Sequence, residues 1–143
     1  MASRDEMELG NERPSRIVFE QAQANYVEFH PSSTCIGAAL ANGVVKIYET
    51  RMRKVLQLYE IHEGAVNCLS FHTTGNYLVT ASQEGTLKVL DLMEGRPSYT
   101  LYGSKSPVLT VKFSASGDHF ATGPFMSFHF PFLRVFFWLS SME

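Results

Sequence analysis

The stretch Val66–Leu101, VNCLSFHTTGNYLVTASQEGTLKVLDLMEGRPSYTL, decides the fold. It divides into four short strands. Val66–Phe71 is apolar at Val66, Leu69 and Phe71 and stops at the turn Thr73-Thr74-Gly75-Asn76. Tyr77–Ser82 is rich in aromatic and β-branched residues and ends at Gln83-Glu84-Gly85, a hairpin connection whose glycine can take positive φ. Thr86–Asp91 alternates, with Leu87 and Val89 on one side and Lys88 and Leu90 on the other. After Glu94-Gly95-Arg96-Pro97 a fourth strand covers Ser98–Leu101. Four antiparallel strands closed by short turns in about 40 residues predict one propeller-type blade.

Working outward, the chain superposes on itself at a shift of 42 residues. Phe29, Phe71 and Phe113 coincide, as do Val27, Leu69 and Val111, and Ile36, Leu78 and Phe120. Gly43 falls on Gly85, Lys46 on Lys88, and Glu49 on Asp91, while Gly75 and Gly117 have Ser33 as their counterpart. Turn and strand positions recur in one register, which chance apolar matches would not produce. The interval lies within the ~40–45 residues of a repeated four-stranded blade.

In chain order, residues 1–22 form a charged, mostly disordered lead, with Ile17–Glu20 a candidate leftover strand. Residues 23–61 are one repeat, with strands at Tyr26–Phe29, Thr34–Ala39, Val44–Glu49 and Val55–Tyr59 and an Asn42-Gly43 hairpin. Residues 62–103 are the second repeat and 104–123 the start of a third, with strands at Val108–Phe113 and His119–Gly123. Residues 124–143, PFMSFHFPFLRVFFWLSSME, break the register, which calls for a third strand ending near position 133. Pro124, His129, Pro131 and Arg134 interrupt that run too often for a membrane span of about 20 apolar residues. The tail reads as an aromatic patch covering the open blade or, the favoured reading, as a segment unrelated to the repeat and prone to association. The expected fold is therefore all-β: an open, incomplete propeller of two full blades and part of a third, with edges and faces available for self-association.

Composition bounds the chemistry. The 143 residues are 45% apolar and 18% charged, with 12 Lys plus Arg against 14 Asp plus Glu. A net charge of −2 gives no basic stripe for nucleic acid. Cys35 and Cys68 lack metal spacing and read as free thiols, which suggests a reducing compartment. The N-terminal residues carry no apolar signal core, which points to the cytosol or nucleus. His30 and His72 share one repeat position, so their recurrence is structural. No nucleophile, metal or phosphate motif occurs, and a triad drawn from Ser70, His72 and Asp91 has nothing to fix its geometry. No enzyme activity, cofactor, metal or membrane contact is expected. Rigid blades instead present loop residues to protein partners. The candidate rim is Asn42, His62, Glu63, Gln83, Glu84 and Lys105.

FHPSSTCIGAAL, SFHTTGNYLVTASQEGTLKVLDLMEGRPSYTL and VKFSASGDHFATG resemble consecutive WD40 repeats, most closely those of the proteome of centriole protein 1 family, over Tyr26–Gly123. The resemblance implies a scaffold in centriole, basal-body and cilium assembly, with centriolar protein partners. The implied location is the cytoplasm and cytoskeleton, at the centrosome, centriole and cilium basal body. It also implies a buried polar relay in the central repeat, mapped onto His62, Ser82 and Glu84, with Asp91 closing the following strand. Leu90 stands where that relay has a tryptophan, so the indole N–H is lost. The alternatives are a truncated product without scaffold function of its own, and a general WD40 adaptor in another cytosolic or nuclear complex.

Overall fold

The computed structural model describes residues 21–102, 105–124 and 134–137. The charged lead up to residue 20, Ser104 and most of the 124–143 tail lie outside the described residues. Three antiparallel sheets stand side by side as an open arc. The first is β1 (Ala24–Phe29), β2 (Cys35–Leu40), β3 (Val44–Glu49) and β4 (Lys54–Glu60). The second is β5 (Val66–Phe71), β6 (Tyr77–Ser82), β7 (Thr86–Asp91) and β8 (Arg96–Tyr102). The third is β9 (Val108–Phe113), β10 (His119–Pro124) and β11 (Arg134–Phe137). Each strand pairs with the next in sequence, as a meander requires.

Local chemistry explains the boundaries. Gly43 and Gly85 take φ of +85° and +87° in the two equivalent hairpins, a region that costs an L side chain energy. β8 begins at Arg96, two residues earlier than the sequence suggests, and includes Pro97. It is the sheet's edge strand, where a missing N–H breaks no ladder. The tail departs from expectation more. The repeat places a third strand ending near residue 133, yet Arg134–Phe137 fills that slot, with His119 opposite Phe137 and Thr122 opposite Arg134. Part of the segment read as unrelated to the repeat thus completes the third sheet, after a longer connection than the hairpins before it.

The second sheet is covered on both faces. On one, Leu69, Phe71, Leu78 and Leu90 pack with Ala39, Val45, Ile47 and Tyr59 of the first sheet. On the other, Cys68, Val79, Ala81, Leu87 and Val89 pack with Val111, Phe113 and Phe120 of the third. The alternation of Leu87 and Val89 against Leu90 thus sends apolar side chains into two cores, and β5–β7 need few polar positions. Cys35 and Cys68 are both free, and burial pushes the Cys68 thiol up.

The first strand of each of the first two sheets, with the histidine that follows it, also ties that sheet to the next by side-chain bonds that repeat at the same interval. Asn25 donates to the Val66 carbonyl at 3.0 Å, and Asn67 donates to the Val108 carbonyl at 2.9 Å. Glu28 accepts the Phe71 N–H, and Ser70 accepts the Phe113 N–H, each at 3.0 Å. His30 Nε2 meets the Gly75 carbonyl at 2.8 Å, and His72 Nε2 meets the Gly117 carbonyl at 3.0 Å. Since a carbonyl accepts only, Nε2 carries the proton, and Nδ1 of each ring takes the Ser32 or Thr74 amide. Gly75 and Gly117 have positive φ, and a Cβ on either would lie 2.5 Å from the histidine ring of the preceding sheet. Glu28 further pairs with Lys112 at 2.7 Å, joining the first sheet to the third.

Gly75→Ala therefore meets both strain and a collision. It is expected to destabilise the chain by about 1–3 kcal/mol. In a His30→Ala background the collision is gone, so the added loss shrinks. A double-mutant cycle on urea unfolding reads this, and strictly additive losses would show that ring and turn do not meet.

Candidate functional site

The rim gathers where the β2–β3 hairpin, the β4–β5 connection and the β6–β7 hairpin converge. Gly43 sits so tightly under this junction that a Cβ would lie 2.0 Å from the His62 carbonyl oxygen, and its own carbonyl accepts the His62 amide at 3.2 Å. The loop is thereby fixed from below. From the side it is fixed by Glu84, whose two oxygens take the His62 ring at 2.6 Å and the Glu63 amide at 3.0 Å. Thr86 donates its hydroxyl to the same carboxylate at 2.7 Å.

His62 is buried, and its Nε2 lies 2.8 Å from the Thr80 hydroxyl. Thr80 thus takes the relay position that the sequence assigned to Ser82. Residues 78, 80 and 82 share one face of β6, so either hydroxyl fits the spacing. Ser82 instead donates to the Ala65 carbonyl at 3.0 Å and receives the Glu84 amide at 3.3 Å, closing the hairpin. Asp91 lies outside the relay, at the other end of β7, where its carboxylate caps the turn by accepting the Met93 and Glu94 amides. Leu90, in the place of the tryptophan, packs in the apolar core. Without an indole donor, the Thr80 hydroxyl has the Lys88 carbonyl at 3.3 Å as its other neighbour.

Burial holds the His62 imidazole below its ordinary value of 6.5, against the pull of Glu84. Burial works the other way on Glu84, yet the bonds from Thr86, His62 and the Glu63 amide outweigh it and bring the carboxyl from 4.5 to about 2. At neutral pH the pair is a neutral ring donating from Nδ1 to a carboxylate. Nε2 then accepts the Thr80 proton. When the ring is protonated, Nε2 donates instead, and the hydroxyl turns to Lys88.

The relay is peculiar to the central sheet among the described residues. One period earlier Thr80 and Glu84 correspond to Ala38 and Asn42, and one period later Thr80 corresponds to Thr122. Asn42 accepts the Val44 amide at 3.3 Å, and Thr122 donates to the Thr110 carbonyl at 3.0 Å. Of the other rim residues, Glu63 and Gln83 are exposed, with Gln83 accepting from Asn67 at 3.1 Å. Lys105 is exposed at the position equivalent to Glu63, so the charge reverses from one rim position to the next.

The residues from which a triad could be drawn do different work. Ser70 and His72 make the ties between sheets described above, and Asp91 caps its turn. Among the described residues no group of three His, Cys, Asp or Glu side chains could hold a metal, and no helix is long and apolar enough to cross a membrane.

The family model "WD domain, G-beta repeat" matches residues 53–91 and 95–127. The chain belongs to the WD40 repeat family. Each matched WD40 unit starts at the outer strand of one sheet and runs into the next, so the sequence unit straddles two blades. The chain is 34% identical over 97 residues to pre-mRNA-processing factor 19 of Oryza sativa subsp. japonica, covering 66% of this chain and 18% of that protein. It is 25% identical over 114 residues to WD repeat-containing protein 36 of Homo sapiens, covering 80% of this chain and 12% of that one. A solved structure titled "Structure of U3-55K" superposes with a TM-score of 0.70 at 14% identity, covering 74% of this chain and 34% of the other, which shows the shared fold. The chain thus spans less than a fifth of the length of either curated relative.

These relatives correct the narrower reading. The WD40 part of the resemblance stands, but the centriolar part gains no support. The expected location in the cytoplasm and cytoskeleton, at the centrosome, centriole and cilium basal body, is overturned by the relatives named pre-mRNA-processing factor 19, whose name places them in a nuclear step.

Two measurements check the relay. Thr80→Val leaves Nε2 without its hydroxyl and is expected to cost about 1–3 kcal/mol in urea unfolding, more than Ser82→Ala, whose hydroxyl serves only the hairpin. The pH profile has a definite sign. Both values are lowered by folding, so the unfolded chain binds more protons and stability falls as pH drops. The His62 part is lost below about 6.5 and the Glu84 part between 4.5 and about 2. The urea midpoint should fall through both windows, and Glu84→Gln should flatten only the lower one. A rising midpoint on acidification would contradict the arrangement.

Proposed function

We propose that this WD40 chain is a non-catalytic interaction module that works as an adaptor within a larger protein assembly. The observation that supports it is the use of the polar cluster. Both nitrogens of His62 and both oxygens of Glu84 are spent on bracing the rim. The braced loops present Asn42, Glu63 and Gln83 to solvent, and Lys105 is exposed on the following connection. Fixed loops lose little conformational freedom on binding, which favours recognition of a protein surface over chemistry. The alternating charges of Glu63 and Lys105 suit a partner surface carrying both signs. A net charge of −2 argues against direct contact with a nucleic-acid backbone.

The similarity to pre-mRNA-processing factor 19 makes RNA-processing assemblies the first setting to search, with protein components as the contacts. A second reading, a chain without independent scaffold function, draws on the exposed apolar face of its first sheet, where Val27 and Phe29 meet solvent.

One comparison separates the two. The tagged chain and a Glu63→Lys, Gln83→Ala, Lys105→Glu variant are expressed in parallel, and co-purifying proteins are quantified by mass spectrometry. A defined set should fall by about tenfold or more in the variant, while its unfolding midpoint stays unchanged. Identical sets would reject the rim as the contact surface.

A further inference from the structure

The turn between β3 and β4 departs from its counterpart one period later in a consistent direction. Both turns have the same backbone. The Arg53 amide donates to the Glu49 carbonyl at 2.9 Å, as the Gly95 amide donates to the Asp91 carbonyl at 2.8 Å. Both closing residues are left-handed, with φ of 57° at Arg53 and 72° at Gly95. Glycine takes that conformation freely, whereas arginine must be held in it at a cost. Nothing in the turn offsets the cost, since the Arg53 side chain has no ion pair among the described residues.

The neighbouring positions change in the same sense. In the second blade Arg96 is neutralised by Glu94 at 2.6 Å. In the first blade Lys54 stands in the place of Arg96, but Met52 stands in the place of Glu94 and Arg51 in that of Met93. Glu49 lies opposite Lys54 in the register, yet no ion pair joins them. Arg51, Arg53 and Lys54 thus have no acidic partner among the described residues, and they surround a Met52 side chain that is 65% exposed. A solvated cation can sit anywhere on a surface. One at a left-handed position that glycine would fill without cost points to a demand for the charge itself.

The patch is bounded. Gln57 of β4 donates to the Leu92 carbonyl at 2.9 Å, so the β7–β8 turn lies beside this one, and it carries Asp91 and Glu94. A nucleic-acid backbone, with its long row of phosphates, needs positive potential that continues past one blade. A short acidic peptide does not, and the flexible thioether of Met52 suits an apolar residue among its carboxylates.

We propose that the β3–β4 turn of the first blade is a contact site of its own, taking an acidic segment of a partner protein with an apolar residue seated against Met52. The guanidinium groups of Arg51 and Arg53 hold carboxylates by paired hydrogen bonds, and Lys54 adds a point charge. The turn lies at the end of β3 away from the Asn42-Gly43 hairpin, so it works apart from the rim.

Fluorescence anisotropy tests this with a labelled glutamate-rich peptide carrying one leucine, and with a labelled single-stranded DNA of equal charge. The 143-residue chain should bind the peptide more tightly than the DNA, and less tightly as salt is raised. Arg53→Gly should weaken the peptide about threefold or more, and Arg53→Gly with Arg51→Ala about tenfold or more. The Arg53→Gly chain should also have a higher urea midpoint, because the left-handed position no longer holds a Cβ. A purely structural arginine would give the reverse, a lower midpoint with unchanged affinity. The Glu63→Lys, Gln83→Ala, Lys105→Glu chain should bind the peptide as the parent does, which keeps failure of this site distinct from failure of the rim. Absence of peptide binding, affinity unmoved by Arg53→Gly, a midpoint that falls with it, loss of binding in the rim variant, or DNA bound as tightly as the peptide overturns the proposal.

Discussion

The structure depends on contact between neighbouring sheets. A single four-stranded sheet of these sequences has two apolar faces and cannot bury either alone. The second sheet is stable only between the other two, where its Leu69–Phe71 face and its Cys68–Val79 face are both dry. Apolar packing of this kind is not directional, and two greasy sheets can slide. The ties from Asn25, Glu28 and His30, and again from Asn67, Ser70 and His72, remove that freedom. Each satisfies a backbone group of the following sheet, so each sets a register as well as adding strength.

The polar relay solves a different problem on the same framework. The central hairpin carries a buried histidine, which must be satisfied at both nitrogens. Glu84 and Thr80 do so, and the carboxylate is left holding the backbone of Glu63 in place. The usual tryptophan end is absent, and the threonine turns to a backbone carbonyl in its stead. Polar groups that look reactive in isolation, such as His62 beside Glu84 or His72 near Ser70, are engaged in architecture. Interaction rather than catalysis is what such an arrangement supports.

Much of this was legible in the sequence. The spacing of Phe29, Phe71 and Phe113 is a packing requirement repeated, so the sheets and most of their boundaries follow from it. The Asn25–Asn67 recurrence was equally open to reading, and the matched histidines did point to a structural role. The relay partner was not legible, because Thr80 and Ser82 lie on one face of one strand and only geometry separates them. The strand at Arg134–Phe137 was not legible either, because a longer connection erases the interval on which the periodic argument relies. The resemblance went wrong at its finest level for a related cause. Strings such as Leu90-Asp91-Leu92-Met93-Glu94-Gly95-Arg96 serve a strand end and a capped turn, and those demands are common to blades of many proteins.

The direction of the ties carries a consequence for biosynthesis. At both junctions the reaching side chain belongs to the earlier blade, and the backbone group it engages belongs to the later one. As the polypeptide leaves the ribosome, the first and then the second blade already displays the asparagine, acceptor and imidazole that will receive its successor. Assembly can then proceed as a vectorial zipper, each new module docking on a prepared template as it emerges.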